Sequence, residues 1–130
     1  MILLDTHIWY WWINLEHDRF SASLRNAIAT ESRIGVSPVS CYEIALAAQR
    51  GRLELPLPAK EWFREALDNS GIELVPLTPD ITERAVMLSQ IHRDPFDRII
   101  IATALEETAS LASLDGIFCK YPEIKHLLIS

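Results

Sequence analysis

Residues 94–115 read DPFDRIIIATALEETASLASLD. Asp94 is of the type that caps helices, and Pro95 falls at the first helical position, where a missing N–H leaves nothing unsatisfied. Residues 94–109 are predicted as a helix, and SLASLD (110–115) as a strand that ends on an acid. A helix that feeds a short apolar strand is the repeating unit of a parallel sheet, so the same alternation should run through the rest of the chain. Residues 1–5 are predicted as a buried strand, 7–14 as a short helix and 21–30 as a helix capped by Ser21 or Ser23. RIGVSPV (33–39) is predicted as a strand closed by Pro38. SCYEIALAAQRGRL (40–53) is predicted as a helix with Ser40 as cap, Glu43 in capping-box position and Gly51 at its end. A helix lies within 55–71, a strand at 72–78, a helix at 79–92 and a fifth strand at 124–130. The fold class is therefore α/β: a central parallel sheet of four to five strands covered by helices on both faces, in one unit over residues 1–130.

The totals agree with that reading. The chain has 130 residues, 49% of them hydrophobic and 23% charged, which suits one globular unit with a real core. No apolar run reaches the roughly 20 residues that span a bilayer. The N-terminus has no basic region and cleavage site of a secretory signal, and a cytosolic protein is expected. Cys41 and Cys119 lack the spacing of a zinc site and are expected as buried free thiols. The net charge of −6 speaks against broad nucleic-acid binding, unless the acids are gathered to hold a divalent cation.

The position of the acids tests that exception. Ligands of open parallel sheets gather at the carboxyl ends of the strands. Asp5 ends the first strand and Asp115 the fourth, while Glu43 and Asp97 lie in the first turns of predicted helices. Asp97 is expected to reach that edge only if the segment before its helix wraps back over the top. Each acid also has a plain structural role to fill: Asp5 as a strand-to-loop residue, Glu43 as a capping partner, Asp94 as a cap, Asp97 at a helix dipole and Asp115 in an Asp-Gly turn. Brought together, four carboxylates would need a cation. Hard oxygen ligands suit Mg²⁺ or Mn²⁺, and the chemistry such ions serve beside a phosphate is phosphodiester hydrolysis.

Four segments, LLDTHIWYWW (3–12), SPVSCYEIALAAQRGRLELP (37–56), HRDPFDRIIIATALEETASLASLD (92–115) and IFCKYP (117–122), make the chain resemble PIN-domain proteins of the VapC-type toxin group, from type II toxin–antitoxin systems. The DPFDR segment and the strand after it carry most of the likeness. The resemblance implies a three-layer α/β/α sandwich and a metal-dependent endoribonuclease, a hydrolase of RNA. Asp5, Glu43, Asp97 and Asp115 match the family's four acids and would be both catalytic residues and ligands of Mg²⁺ or Mn²⁺. Thr6 matches the hydroxyl residue beside the first acid and would support it, and Ser113 is compatible with the pattern before the last acid. Arg98, Arg93 and Arg50 are candidates for contacts to the substrate backbone, as are Arg52, Lys60 and Lys120. The resemblance further implies a cognate antitoxin whose tail enters the acidic cleft, a homodimer and no membrane association. Trp9, Trp11 and Trp12 are candidates for an interface.

The competing expectation is a catalytically silent PIN-like module that only docks a protein partner. A haloacid-type phosphatase needs a second Asp two residues after the first, where His7 stands. A nucleotide-binding loop needs glycines that DTHIW lacks.

Overall fold

A computed structural model describes residues 1–130. Five parallel strands form one sheet: β1 (Ile2–Leu4), β2 (Ile34–Val36), β3 (Glu73–Leu74), β4 (Ser110–Ala112) and β5 (Leu128–Ile129), in the order β3-β2-β1-β4-β5. The first strand is thus the central one, with Ile2 opposite both Ile34 and Ser110 and Leu4 opposite Ala112. Six helices connect or cover the strands: α1 (Thr6–Ile13), α2 (Ala22–Thr30), α3 (Pro38–Gln49), α4 (Ala59–Ala66), α5 (Pro79–Met87) and α6 (Pro95–Glu107).

Alternation along β1 divides the interior. Ile2 and Leu4 join one apolar core with Ile8, Trp9, Leu24, Ile44 and Trp62. Leu3, between them, joins a second with Val75, Ile100, Ile101, Leu111 and Phe118. Successive strand side chains point to opposite faces, so a strand buried on both sides must lie between two layers of helices. This is the expected three-layer α/β/α arrangement.

The element boundaries differ from the expected ones for identifiable reasons. Pro38 does not close β2; it opens α3 at the first helical position, with Ser37 as the cap whose Oγ accepts from the Val39 N–H at 3.3 Å. The expected strand at 72–78 keeps only two paired residues, because its partner β2 ends at Val36, where Ser37 and Pro38 turn the chain into α3. The expected strand at 124–130 pairs only at 128–129, since residues 125–127 coil into a 3₁₀ turn. Helix α5 ends at Met87 instead of running to 92. Its last carbonyls, those of Ala85 and Val86, accept from a side chain outside the helix, the guanidinium of Arg98.

The aromatic run is partly core. Trp9 is fully buried, meets Trp62 edge to face and stacks on Phe63, while Trp11 and Trp12 are half-buried against Phe20 and His17. Cys41 is half-buried, and burial pushes its thiol up; Cys119 is exposed, contrary to expectation. Both are free. No helix is long and apolar enough to cross a membrane.

Candidate active site

Asp5 sits where β1 hands over to α1, and its backbone N–H still pairs with Ala112 of β4. It caps α1: Oδ1 accepts from the Thr6 N–H at 2.7 Å. Oδ2 accepts from the Ser113 hydroxyl at 2.9 Å, and the same hydroxyl receives the Asp115 N–H at 3.0 Å. Ser113 therefore ties the end of β4 to the end of β1 and fixes the first acid in orientation. Only 8% of Asp5 is exposed. Burial raises its pKa first, against the lowering effect of those two hydrogen bonds.

Thr6 does not support Asp5 through its hydroxyl. Its Oγ1 donates to Glu43 Oε1 at 2.7 Å and lies 2.8 Å from Ser40 Oγ. A hydroxyl carries one proton, so with that proton on Glu43 it is Ser40 that donates to Thr6. Ser40 is thus a buried link between α3 and α1 and not a cap, and Glu43 is free of any capping duty. Desolvation raises the Glu43 pKa, and Asp5 and Asp94 raise it further.

Asp97 reaches this edge without any wrapped-back segment. A helix that feeds a parallel strand must deliver its C-terminus to that strand's start, so its first turn lies at the opposite, carboxyl edge. The Asp97 carboxyl is pushed up to about 7, by burial first and then by Asp94, Asp5, Glu43 and Asp115 in that order. The other three predicted acids and Asp94 thus lie near enough to repel the Asp97 charge. Asp115 is exposed, three residues beyond the end of β4, with Oδ1 accepting from the Ile117 N–H at 3.0 Å.

The tightest group was not expected from the sequence. Donor atoms of His92, Asp94 and Asp97 lie within 4.8 Å of one another, with His92 Nε2 3.2 Å from Asp97 Oδ2. Asp94 keeps its expected cap, accepting the Phe96 N–H at 2.9 Å, but a carboxylate can cap and still present its second oxygen. The signal was available in the spacing His-x-Asp-x-x-Asp, which places three donors around one helix start.

No Lys or Arg neutralises these acids. The structure holds five ion pairs, and only the one between His92 and Asp97 touches the group. Crowded hard oxygens without a protein cation match the donor chemistry of a divalent metal ion, and the residues fit one.

Two clefts flank the acids. One of about 320 Å³ is lined by Thr6, Tyr10, Glu43, Arg50, Arg52 and Phe96, among others. The other, of about 250 Å³, is lined by Asp5, His7, Ile8, Trp11, Leu114 and Asp115. Arg50 is exposed beside Glu43, as a substrate contact requires. Arg93 is exposed but opens onto a separate cleft between α5 and α6. Arg98 is corrected outright. It is 8% exposed, and its guanidinium donates to the carbonyls of Ala85, Val86, Leu88, Ser89 and His92 and to the Tyr121 hydroxyl. No donor is left for a phosphate. An apolar layer between α5 and α6 with a helix end to satisfy takes the cation inward.

The three-layer parallel α/β arrangement with acids at its carboxyl edge is what the resemblance to PIN domains implied, and the PIN domain family profile matches residues 2–124. The chain belongs to that family. It is 34% identical over 115 residues to Ribonuclease VapC22 of Mycobacterium tuberculosis, an alignment that covers 88% of this chain and 86% of the relative. Two solved structures share the fold. VapBC2 from Rickettsia felis, bound to a DNA fragment from its promoter, gives a TM-score of 0.70 at 21% identity, covering 99% of this chain and 98% of the other. A toxin–antitoxin complex from Klebsiella pneumoniae gives 0.65 at 22% identity, covering 100% and 97%.

Proposed function

We propose that the chain is a metal-dependent endoribonuclease of the VapC type, the toxin of a toxin–antitoxin pair, acting as a single domain over residues 1–130. The observation that carries this is the convergence of Asp5, Glu43, Asp94, Asp97 and Asp115 on one edge with no Lys or Arg among them. The kinship with Ribonuclease VapC22 supports RNA as the substrate class.

Asp5, Glu43, Asp97 and Asp115 would hold Mg²⁺ or Mn²⁺. A divalent ion there supplies charge neutralisation at the scissile phosphate and lowers the pKa of water. The protein's own work is positioning. Ser113 and the Thr6 N–H hold Asp5, and the Thr6 hydroxyl holds Glu43, so the ligands are oriented before substrate arrives. Arg50 and Arg52, on the rim of the cleft beside Glu43, would attract the phosphates on either side of the cut. Arg98, with every donor spent inside the protein, has no such part.

An antitoxin partner follows from the same electrostatics. An unneutralised anionic cleft in a chain of net charge −6 accepts a basic side chain as readily as a metal ion. Self-association as a homodimer belongs to the same reading.

The test is cleavage of RNA by the purified chain with Mg²⁺, with Mn²⁺ and with chelator, beside Asp5→Asn and Asp97→Asn. Cutting that requires the ion and is lost in both variants is expected, together with growth arrest on expression that the variants relieve. Equal cutting by all three proteins would remove the mechanism.

A further inference from the structure

His92 has no part in the family's acid set, yet its imidazole Nε2 lies 3.2 Å from Asp97 Oδ2. Its placement is not that of a loose surface ring. The His92 N–H donates to the Tyr121 hydroxyl at 3.1 Å, and that hydroxyl donates back to the His92 carbonyl at 3.1 Å. The carbonyl also accepts from Arg98 Nη1 at 3.2 Å, and Arg98 Nη1 lies 3.3 Å from the Tyr121 oxygen. Both backbone polar groups of residue 92 are therefore pinned by two buried side chains. Arg98 follows Asp97 directly, so one turn of α6 carries both the acid and the clamp that sets the histidine beside it. The ring meets Asp97 and Asp94 with three donor atoms inside 4.8 Å, one nitrogen and two oxygens.

We propose that His92 is a nitrogen ligand of the ion held at Asp97 and Asp94, and that it biases the site toward a first-row transition ion over Mg²⁺. This rests on the metal-dependent reading above. Carboxylates serve Mg²⁺ and Mn²⁺ alike, whereas imidazole adds little for Mg²⁺, which keeps oxygen ligands and its waters, and more for a transition ion. The pinned backbone matters because a ligand already in place loses little freedom when the ion binds.

Mn²⁺ and Mg²⁺ binding by the full chain, without RNA, tests this. Titration calorimetry gives both affinities, and pulsed electron paramagnetic resonance of bound Mn²⁺ shows directly whether a ¹⁴N nucleus is coordinated. The wild type should show the nitrogen coupling. His92→Gln should lose it, weaken Mn²⁺ binding about tenfold and leave Mg²⁺ binding within about twofold. The His92 side chain is 38% exposed, so the variant should fold, which its melting curve checks. Absence of nitrogen coupling in the wild type overturns the proposal. So does equal weakening of both ions in His92→Gln, because that is what a ring that merely positions Asp97 would give. A wild type that binds neither ion sinks the metal-dependent reading itself, a failure that the binding data separate from the other two.

Discussion

Asp97 and Arg98 are neighbours in the first turn of α6 and live in opposite circumstances. Arg98 is a buried cation whose five N–H donors are spent on five carbonyls and a hydroxyl, closing the end of α5. Asp97 is a part-buried acid surrounded by four more acids, with one imidazole for company. A charge whose partners are all present in the chain is there to hold the chain together. A charge whose partners are missing points to something the chain must bind. The two ends of one dipeptide separate stability from function.

That contrast breaks if either residue behaves like the other. Asp97→Asn should lower RNA cleavage about a thousandfold or more, some 4 kcal/mol of barrier, while the metal-free variant melts no lower than the wild type. If it unfolds instead, Asp97 is structural. Arg98→Ala should cost about 3–5 kcal/mol in urea unfolding, since it strands the carbonyls that the guanidinium serves. Arg98→Lys should recover little, because an ammonium cannot reach along the same fork.

Stability against pH sharpens the comparison. The Asp97 carboxyl titrates at about 7 in the folded chain against 3.8 unfolded. Between those values the folded form holds the proton and the unfolded form has lost it, so stability falls as pH rises from about 4 to about 7. The metal-free protein should lose about 2 kcal/mol across that window, discounted because the site is half open to water. Saturating Mn²⁺, or the Asp97→Asn substitution, should flatten the curve. A wild-type melting temperature that rises over this range in chelator contradicts the unneutralised cluster.

Smaller effects follow at the periphery. Thr6→Val deletes the donor to Glu43 and the acceptor for Ser40, and should reduce cleavage about tenfold with about 1 kcal/mol of stability. Arg50→Ala should raise KM a few-fold, leave kcat unchanged and reduce the salt slope of RNA binding by about 1. No change in salt slope would remove Arg50 from the substrate path.

The sheet was legible because its strands are short apolar runs bounded by turn residues, and the helices because Pro95, Pro79 and Ser21 mark their starts. The convergence of Asp5, Glu43, Asp97 and Asp115 was legible from the resemblance, and for Asp5 and Asp115 from strand ends alone. Ser40 and Arg98 were misread for one reason. A capping box and a surface arginine are local patterns, and each residue was claimed by a partner far along the chain: Thr6, 34 positions away, for Ser40, and the end of α5 for Arg98. The spacing His-x-Asp-x-x-Asp held the signal for His92, but the clamp on its backbone by Tyr121, 29 positions on, is a long-range contact that the spacing does not carry.

The first strand is central, and one of its two flanking strands is β4, at residues 110–112. On the ribosome β1 emerges well before β4, and that edge stays unpaired until residues 110–112 have followed. Asp115 follows later still. A nascent chain therefore has no assembled acid cluster, and one truncated by a stop codon before Ser113 never acquires the hydroxyl that orients Asp5. Synthesis has to pass residue 115 before the acid cluster can exist at all.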